Sequence, residues 1–403
     1  MIMKFKTLIL GATTALLLSA CGANEAEISE QAENAGLENE VSNVPVEEQE
    51  DKLTSSGSEF YRSVVPYVLS PARGLSSANM VSSYNVEEFE KGLSDISKDI
   101  FSTDEYVFRE GQIISEEMIR GYLSRQYTSE ELEEMDEEEL LSSNAFSNLG
   151  LNPSTNGETD PEKIAEEAPL YLSHILEQNY LSESEDGSLN FDGITIGLAM
   201  NSVHYYQTEE YGQTKEKELD PEVVQEKGEE MAAEILTRIR ANDDYVDKKI
   251  VFAIFIQSSD TDIVPGNFVS QTTVEPGENT ITEFSDINVQ NLLLPSNEAA
   301  EISDEVNNEY ETFNRELSSY FDSFTTSVGR GKFVDNNLET LTIEIPLEYN
   351  SRGEMIGMSQ FVRDLVDEHF IGTNIEVEIK DKSQVYSVIT RQGDEKANLY
   401  IFE

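Results

Sequence analysis

The chain has 403 residues, of which 80 are acidic and 27 are basic, so its formal net charge at pH 7 is −53. A surface of this sign repels nucleic acid and other polyanions at moderate salt, and we expect no nucleic-acid partner. The single cysteine leaves no internal disulfide, so the stability of the chain must come from apolar cores, for which it is long enough to form two domains.

The acidic excess extends along the whole chain. Residues 22–57 carry ten acidic residues, which leaves 70 in the rest of the sequence. Mutual repulsion of so many carboxylates weakens as salt shortens the screening length from about 10 Å at 0.1 M to about 3 Å at 1 M. We therefore expect adaptation to a salty environment, with a melting temperature that rises as NaCl is increased to molar levels. A melting temperature that stays constant or falls as NaCl is increased would contradict this expectation.

The first 21 residues have the pattern of a lipoprotein signal peptide. Two lysines precede an apolar run at 8–18, and the run ends in Leu18-Ser19-Ala20-Cys21. A membrane-spanning helix is the alternative, but residues 7–20 reach only about 21 Å as a helix, against about 30 Å of hydrocarbon. We predict that a signal peptidase recognises Leu18, Ser19 and Ala20. It would cut before Cys21, whose diacylglyceryl group would anchor the chain to the outer face of the cell membrane.

Residues 22–57 are predicted to form a disordered acidic tether. They contain almost no large apolar residues, so they cannot bury enough surface to offset the entropy of ordering. A coil of this length spans about 30 to 36 Å.

The folded part begins with predicted helices. Phe89, Leu93, Ile96 and Ile100 follow one another at spacings of 4, 3 and 4, which is typical of an amphipathic helix. Further helices are predicted at about residues 115–125, 129–141 and 162–180.

A strand, a helix and a second strand follow. The predicted strand 194–203 precedes a helix with Asp220 as its cap and Pro221 in its first turn. The strand 250–256 is apolar on both faces, as in the centre of a covered sheet. A helix between two adjacent strands favours a right-handed crossover and a parallel pair.

The second half shows the same order of elements. A helix has its apolar face from Val306 to Phe324, strand 341–349 alternates strictly, Ser359 is the predicted cap of the next helix, and strand 375–379 alternates again. Around Ile343, Thr and Glu alternate with apolar residues. This alternation predicts a sheet with one face exposed to solvent. We predict an α+β fold of two tandem αβ repeats, 58–258 and 259–403, each with a strand-helix-strand unit on a mixed sheet.

Several strings resemble the CamS family, the sex-pheromone precursor lipoproteins of Gram-positive bacteria. They are FYRSVVP at 60–66, PARGL at 71–75, FEKGL at 89–93, EGQ at 110–112, LGLNP at 149–153, YLSHILEQ at 171–178 and GITIGLAMNSV at 193–203. The resemblance covers nearly the whole chain after the leader. It implies two tandem α/β repeats and no known enzymatic activity.

The resemblance also implies that a short apolar peptide is cut from the end of the signal sequence. Here that heptapeptide is Thr14-Ala15-Leu16-Leu17-Leu18-Ser19-Ala20, and its partner would be a peptide receptor. Peptides of this family tend to carry Ile and Phe, whereas this one carries Leu and Thr. A proteolytic remnant without signalling activity is the alternative, because every lipoprotein signal leaves one.

No catalytic, metal or cofactor motif is evident. The three histidines, His174, His204 and His369, form no His-x-x-x-His pair, and a serine nucleophile motif is missing. Gly-Arg-Gly-Lys at 329–332 lacks the spacing of a phosphate-binding loop and is interpreted as a turn. We expect neither an enzyme nor a bound cofactor.

Five residues are predicted to bind a ligand: Tyr67, Arg73, Asn201, Tyr205 and Tyr206. Tyrosines offer amphipathic contact surface and arginine pairs with anions. The alternative is that Arg73, like Arg62, pairs with a neighbouring carboxylate while the tyrosines border the core.

The sequence leaves three functions open. The favoured one is a lipid-anchored, non-catalytic lipoprotein that is the precursor of a pheromone-like peptide and whose mature domain has an unknown partner. The second is an extracellular solute- or peptide-binding lipoprotein, for which a cleft lined by Arg73 and tyrosines would be evidence. The third is a cell-wall hydrolase, which would need two carboxylates facing each other across a groove.

Overall fold

The structure is a computed structural model that describes residues 52–54, 60–142, 145, 147–320, 326–347, 351–382 and 384–402. The predicted signal peptide lies outside these ranges together with Cys21, the predicted site of lipid attachment, and so does the predicted tether apart from residues 52–54. Phe321, Phe324 and Tyr349, which were assigned to predicted elements of the second half, also lie outside them.

Within the described residues, the first sheet has eight strands in the order β1-β2-β3-β4-β5-β8-β9-β10. Its strands are β1 (Lys52–Leu53), β2 (Arg62–Val65), β3 (Tyr106–Glu110), β4 (Leu172–Glu183), β5 (Leu189–Asn201), β8 (Lys249–Gln257), β9 (Asn267–Val274) and β10 (Ser285–Asp286); β6 (Val203–Tyr206) and β7 (Lys215–Glu218) form a separate hairpin. The helices of this half are α1 (Leu75–Asn79), α2 (Ser83–Lys98), α3 (Glu116–Leu123), α4 (Ser129–Glu134), α5 (Glu137–Ser142), α6 (Pro161–Glu167) and α7 (Pro221–Arg240).

Helices cover both faces of the centre of this sheet. On one face, α7 packs its apolar residues, such as Val224 and Ile235, against β5 and β8. On the other face, α2 packs Phe89 and Leu93 against the same two strands. Strand β8 is buried along almost its full length and pairs in parallel with β5, which confirms the predicted central strand and parallel pair. The predicted start of α7 is also confirmed, since the Asp220 side chain accepts a hydrogen bond from the backbone of Glu222.

The predicted helix at 162–180 is wrong beyond its first turns. Helix α6 ends at Glu167, and residues from Leu172 onward form β4, which pairs antiparallel with both β3 and β5. His174 therefore lies on a strand. Apolar residues on both faces of a buried strand also satisfy a helical spacing, and here the sheet pairing on both sides outweighs local preference.

In the described part of the second half, a second sheet has six strands in sequence order, from β11 to β16. They are β11 (Val289–Leu294), β12 (Val328–Val334), β13 (Asn337–Pro346), β14 (Asn374–Lys380), β15 (Val385–Arg391) and β16 (Asn398–Ile401), with helices α8 (Asn297–Ile302), α9 (Asp304–Tyr320) and α10 (Arg352–His369). Strands β13 and β14 are parallel and joined through α10, as predicted. The core lies on the helix side, where Ile343 and Val377 meet Val362 and Phe313. The fold is α+β with mixed sheets.

Two local predictions for this half are corrected. Helix α10 is capped by Ser351, whose side chain accepts from the backbone of Glu354, whereas Ser359 lies buried inside the helix and donates to the Met355 carbonyl. The predicted turn at 329–332 is instead part of β12. Two of the four residues are glycines, which weaken strands, so the local sequence favours a turn over a strand here.

Two of the predicted domain limits lie next to strands of the first sheet. The limit at 258/259 falls between β8 and β9 of the first sheet. The predicted tether ends at residue 57, whereas the structure places Lys52 and Leu53 in β1, where Leu53 packs beside Val64.

His369, the last residue of α10, lies between two carboxylates of α9. Its Nδ1 is 2.6 Å from Oε1 of Glu309 and its Nε2 is 3.2 Å from Oε2 of Glu316. Burial lowers the pKa of His369, but the hydrogen bonds and charges of the two glutamates outweigh it, so the pKa is raised above 6.5. Because the folded pKa exceeds the unfolded one, this stabilisation is fully present below about pH 6.5 and is lost as the pH rises through the folded pKa.

We therefore expect the stability difference between the wild type and a His369→Gln variant to shrink as the pH is raised from about 6 to about 9. Urea unfolding at each pH measures both free energies of unfolding. Subtracting the free energy of unfolding of the variant from that of the wild type cancels the contributions of the other titrating groups, which both proteins share. If the free energies of unfolding of the two proteins differed by the same amount at every pH in this range, protonated His369 would not stabilise the contact between α9 and α10.

Candidate ligand-binding cleft

A cleft of about 630 Å³ opens beside α1, and we call it the Arg73 cleft. Its floor is apolar, with Ile114, Ile119 and Ile175 among the buried side chains. Its mouth carries aromatic and charged side chains from the segment before α1, from α2 and from the end of β3, including Phe60, Tyr67, Arg73, Glu90, Lys91 and Glu110. The volume lies within the range of about 300–1,000 Å³ that is common for small-ligand sites.

One buried carboxylate fixes a wall of the Arg73 cleft. Glu177 of β4 accepts hydrogen bonds from the backbone N–H groups of Gln112, Ile113 and Ile114 and from the Asn179 side chain, at 2.6–3.1 Å. Burial raises the pKa of Glu177, and these four donors oppose the rise. Gly111 leaves room for this contact, because a Cβ there would lie 2.5 Å from that of Glu177. The carboxylate therefore holds the loop after β3 in place.

A polar cluster forms the rim. Glu110 accepts from the Tyr67 hydroxyl at 3.0 Å and from the Ser70 backbone at 2.6 Å, and Arg73 lies 3.4 Å from the same carboxylate. Burial and the bond to Glu110 raise the pKa of Tyr67 to about 12. Desolvation and the charge of Glu110 raise the pKa of Glu90. The Arg73 side chain is 56% exposed, so its guanidinium can pair with a ligand as well as with Glu110.

His174 lies at the inner end of the cleft between Ser76 and Asn79. The Asn79 amide nitrogen is 3.2 Å from Nδ1, and the Ser76 hydroxyl is 3.1 Å from Nε2. An amide nitrogen can only donate, so Nδ1 accepts and Nε2 carries the proton that is donated to Ser76. Burial lowers the pKa of His174 to about 4. In this tautomer the histidine is a donor to the serine and is not arranged to take its proton.

The predicted ligand-binding residues are not gathered in one place. Tyr67 and Arg73 line the Arg73 cleft. Asn201 instead donates to the Leu170 carbonyl and accepts from Gln257. Tyr205 hydrogen-bonds to Asp260, and Tyr206 stacks on His204 in the β6–β7 hairpin. Their role in binding stays a prediction.

The alternative interpretation of the two arginines agrees with their contacts, since Arg62 pairs with Glu183 at 2.9 Å and Arg73 with Glu110. Sequence reasoning missed Glu177 and the exposed apolar ring at the mouth, where Phe60 is 68% exposed. A glutamate within the apolar string at 171–178 was the available signal, because an acidic residue at a buried position needs several donors.

Two further features of the described residues bear on function. Within these ranges, no group of three or more His, Cys, Asp or Glu side chains is placed to hold a metal ion. Every helix in the described part of the chain is too short or too polar to cross a membrane.

Fold and cleft define an α+β protein with two mixed sheets and a ligand-sized cleft in its first half. A profile of the family described as the CamS sex pheromone cAM373 precursor matches residues 67–397. The chain therefore belongs to the CamS family of sex pheromone precursors, which are not known as enzymes. No curated protein matches the chain.

Two solved structures support this assignment. The C-terminal domain of the sex pheromone staph-cAM373 precursor from Staphylococcus aureus is 41% identical, with a TM-score of 0.70 over 81% of this chain and 98% of that one. The sex pheromone precursor from Lactobacillus salivarius subsp. salivarius UCC118 is 27% identical, with a TM-score of 0.76 over 88% of this chain and 99% of that one.

Proposed function

We propose that this chain is an exported lipoprotein anchored through Cys21, and that its leader releases the apolar heptapeptide 14–20. The observation that carries the proposal is the order of a charged start, a short apolar run and Leu18-Ser19-Ala20-Cys21 in a member of a pheromone-precursor family. Family membership points to a secreted or surface protein. Two acyl chains hold a protein to a membrane firmly, because each buried methylene contributes about 0.8 kcal/mol.

Mass spectrometry of membranes and culture medium from producing cells tests this proposal. We expect a mature N-terminal Cys21 carrying a diacylglyceryl group in the membrane fraction, and a peptide ending at Ala20 in the medium. Cys21→Ser should abolish both, while Ser19→Ala keeps a small residue at the same site and serves as the control. A Cys21→Ser protein that is cut normally and still sediments with membranes would refute the anchor.

For the mature domain, we propose that the Arg73 cleft binds a small solute or peptide with an apolar body and an anionic group. Support comes from the apolar floor, from the exposed rings at the mouth and from the partly exposed guanidinium of Arg73, which is paired with Glu110. Apolar surface supplies affinity in such sites, and a few placed polar groups supply orientation.

Anilinonaphthalene sulfonate has this chemistry and is a suitable probe. We expect Arg73→Ala to weaken its binding by about tenfold, or about 1.4 kcal/mol, and Arg363→Ala to leave binding unchanged. Arg363 is a matched control because it is a partly exposed arginine paired with an adjacent aspartate on α10. Equal losses in the two variants, measured by fluorescence titration, would show that the probe does not occupy the Arg73 cleft.

A further inference from the structure

A second cleft, of about 510 Å³, lies between α2 and the outer face of the second sheet, and we call it the Arg330 cleft. It is separate from the Arg73 cleft, although Lys91 of α2 lines both. The sheet side of the cleft is built by β12, β13 and β14. Pairing places Arg330 beside Thr342 and Thr342 beside Glu376, so three polar side chains form a row across the sheet.

The Gly-Arg-Gly-Lys segment explains how cations come to face this cleft. Alternate residues of a strand point to opposite faces, so Arg330 and Lys332 share the outer face while the glycines face the core. A Cβ on Gly329 would lie 2.6 Å from the ring of Tyr310, and one on Gly331 would lie 2.9 Å from Leu338. The core therefore requires glycine at these positions, and the two basic side chains that alternate with the glycines point into the cleft.

Each sheet cation of the Arg330 cleft is held by a carboxylate. Arg330 is 2.6 Å from Glu344, and Lys380 is 2.9 Å from both Glu344 and Glu378. Lys332 reaches across the cleft to Glu88 of α2 at 3.1 Å. The ring of Tyr84 lies 5.0 Å from the Arg330 guanidinium. These ion pairs place hydrogen-bond donors of the basic side chains next to acceptor oxygens of the carboxylates along the cleft.

The charge of the cleft differs from that of the whole chain. Four basic and five acidic side chains line it among the described residues, whereas the chain has 80 acidic and 27 basic residues. A polyanion would meet the five carboxylates and a polycation the four cations, so neither finds a complementary surface. The surroundings suit a neutral ligand that can donate and accept hydrogen bonds at neighbouring atoms.

Polyhydroxylated molecules have this property, because each hydroxyl is a donor and an acceptor. Neighbouring hydroxyls of a sugar can donate to a carboxylate and accept from the cation paired with it. The carboxylates have lone pairs left after their ion pairs, and Arg330 has five N–H groups. We propose that the Arg330 cleft is a binding site for a neutral oligosaccharide, with Arg330, Thr342, Glu344 and Glu376 as its principal contacts.

Isothermal titration of the full chain, purified in a detergent without a sugar head group, tests the proposal. The probes are neutral tetrasaccharides of glucose, mannose, galactose and N-acetylglucosamine. We expect at least one to bind with a dissociation constant below about 1 mM, and its affinity to change less than about twofold between 0.1 and 1 M NaCl because it carries no charge. Failure of all four to bind, or tighter binding of a carboxylated tetrasaccharide, would overturn the proposal.

Matched variants locate the site. Thr342→Val removes one hydroxyl from β13 and should weaken binding at least fivefold, and Glu376→Gln should do the same. Thr390→Val makes the same change on the same sheet face but outside the cleft, and Arg73→Ala alters the other cleft; both should bind as the wild type does. Thermal melting checks that every variant folds. A loss with Thr390→Val equal to that with Thr342→Val would refute this location.

Discussion

Replacing Glu177 with Gln is expected to lower the free energy of unfolding by about 3 kcal/mol, because a buried acceptor that serves several donors becomes partly a donor. In the wild type, both carboxylate oxygens accept backbone N–H groups of the loop after β3. An amide in this place presents its NH₂ group to one of these donors, whichever way it is turned. The side chain keeps its shape, so the loss reports the hydrogen bonds rather than packing.

The Arg73 cleft should be affected in the same variant, since this loop forms one of its walls. Urea unfolding measures the stability, and the probe titration with anilinonaphthalene sulfonate measures the cleft. Glu185→Gln is the control, because Glu185 is exposed and the same substitution there should change stability by less than about 0.5 kcal/mol. Equal stability of the two variants would contradict the role assigned to Glu177.

Phe89→Ala is expected to destabilise the chain by about 3–5 kcal/mol, because it removes a fully buried ring and leaves a cavity. Phe89 of α2 is 0% exposed, and its ring centroid lies 5.3 Å from that of Phe255 and 5.8 Å from that of Phe268. Gly197 of β5 leaves the space for this ring, since a Cβ there would lie 2.7 Å from it. The glycine and the phenylalanine therefore fit together across the sheet–helix contact.

Phe60→Ala is the matched control for this change, because Phe60 is 68% exposed at the mouth of the Arg73 cleft. The same atoms are deleted, but most of the Phe60 side chain is already exposed in the folded state, so the loss should stay below about 1 kcal/mol. Urea midpoints at unchanged slope give both values. If the Phe89→Ala variant were as stable as the Phe60→Ala variant, α2 would not be packed against the first sheet as described.

Part of this architecture could be predicted because it depends on local pattern. The apolar spacing of α2, the Asp220–Pro221 start of α7 and the double-faced apolar run of β8 each follow from a short segment. The strand-helix-strand order then fixes parallel pairing for β5 with β8 and for β13 with β14. These features need no knowledge of distant residues.

The candidate site could be predicted only in part, because its contacts join segments far apart in the sequence. Tyr67 and Arg73 were identified from residue type, but their partner Glu110 lies about 40 residues away. Glu177 binds a loop more than 60 residues before it. The predicted Asn201 and Tyr205 satisfy their hydrogen bonds elsewhere in the first half. Residue type alone does not tell which distant segment a polar side chain will meet.

The amino-acid sequence by itself determined the family resemblance, the lipoprotein-type leader as an expectation, the α+β class and the helices with a clear apolar face. Tertiary structure decided that residues from Leu172 onward form a strand, because β3 and β5 offer hydrogen-bond partners on both sides. It likewise decided that Gly-Arg-Gly-Lys lies in β12, because Tyr310 occupies the space beside Gly329. In both cases the deciding groups are distant in sequence, and a local propensity of a few tenths of a kcal/mol per residue yields to the energy of pairing and packing.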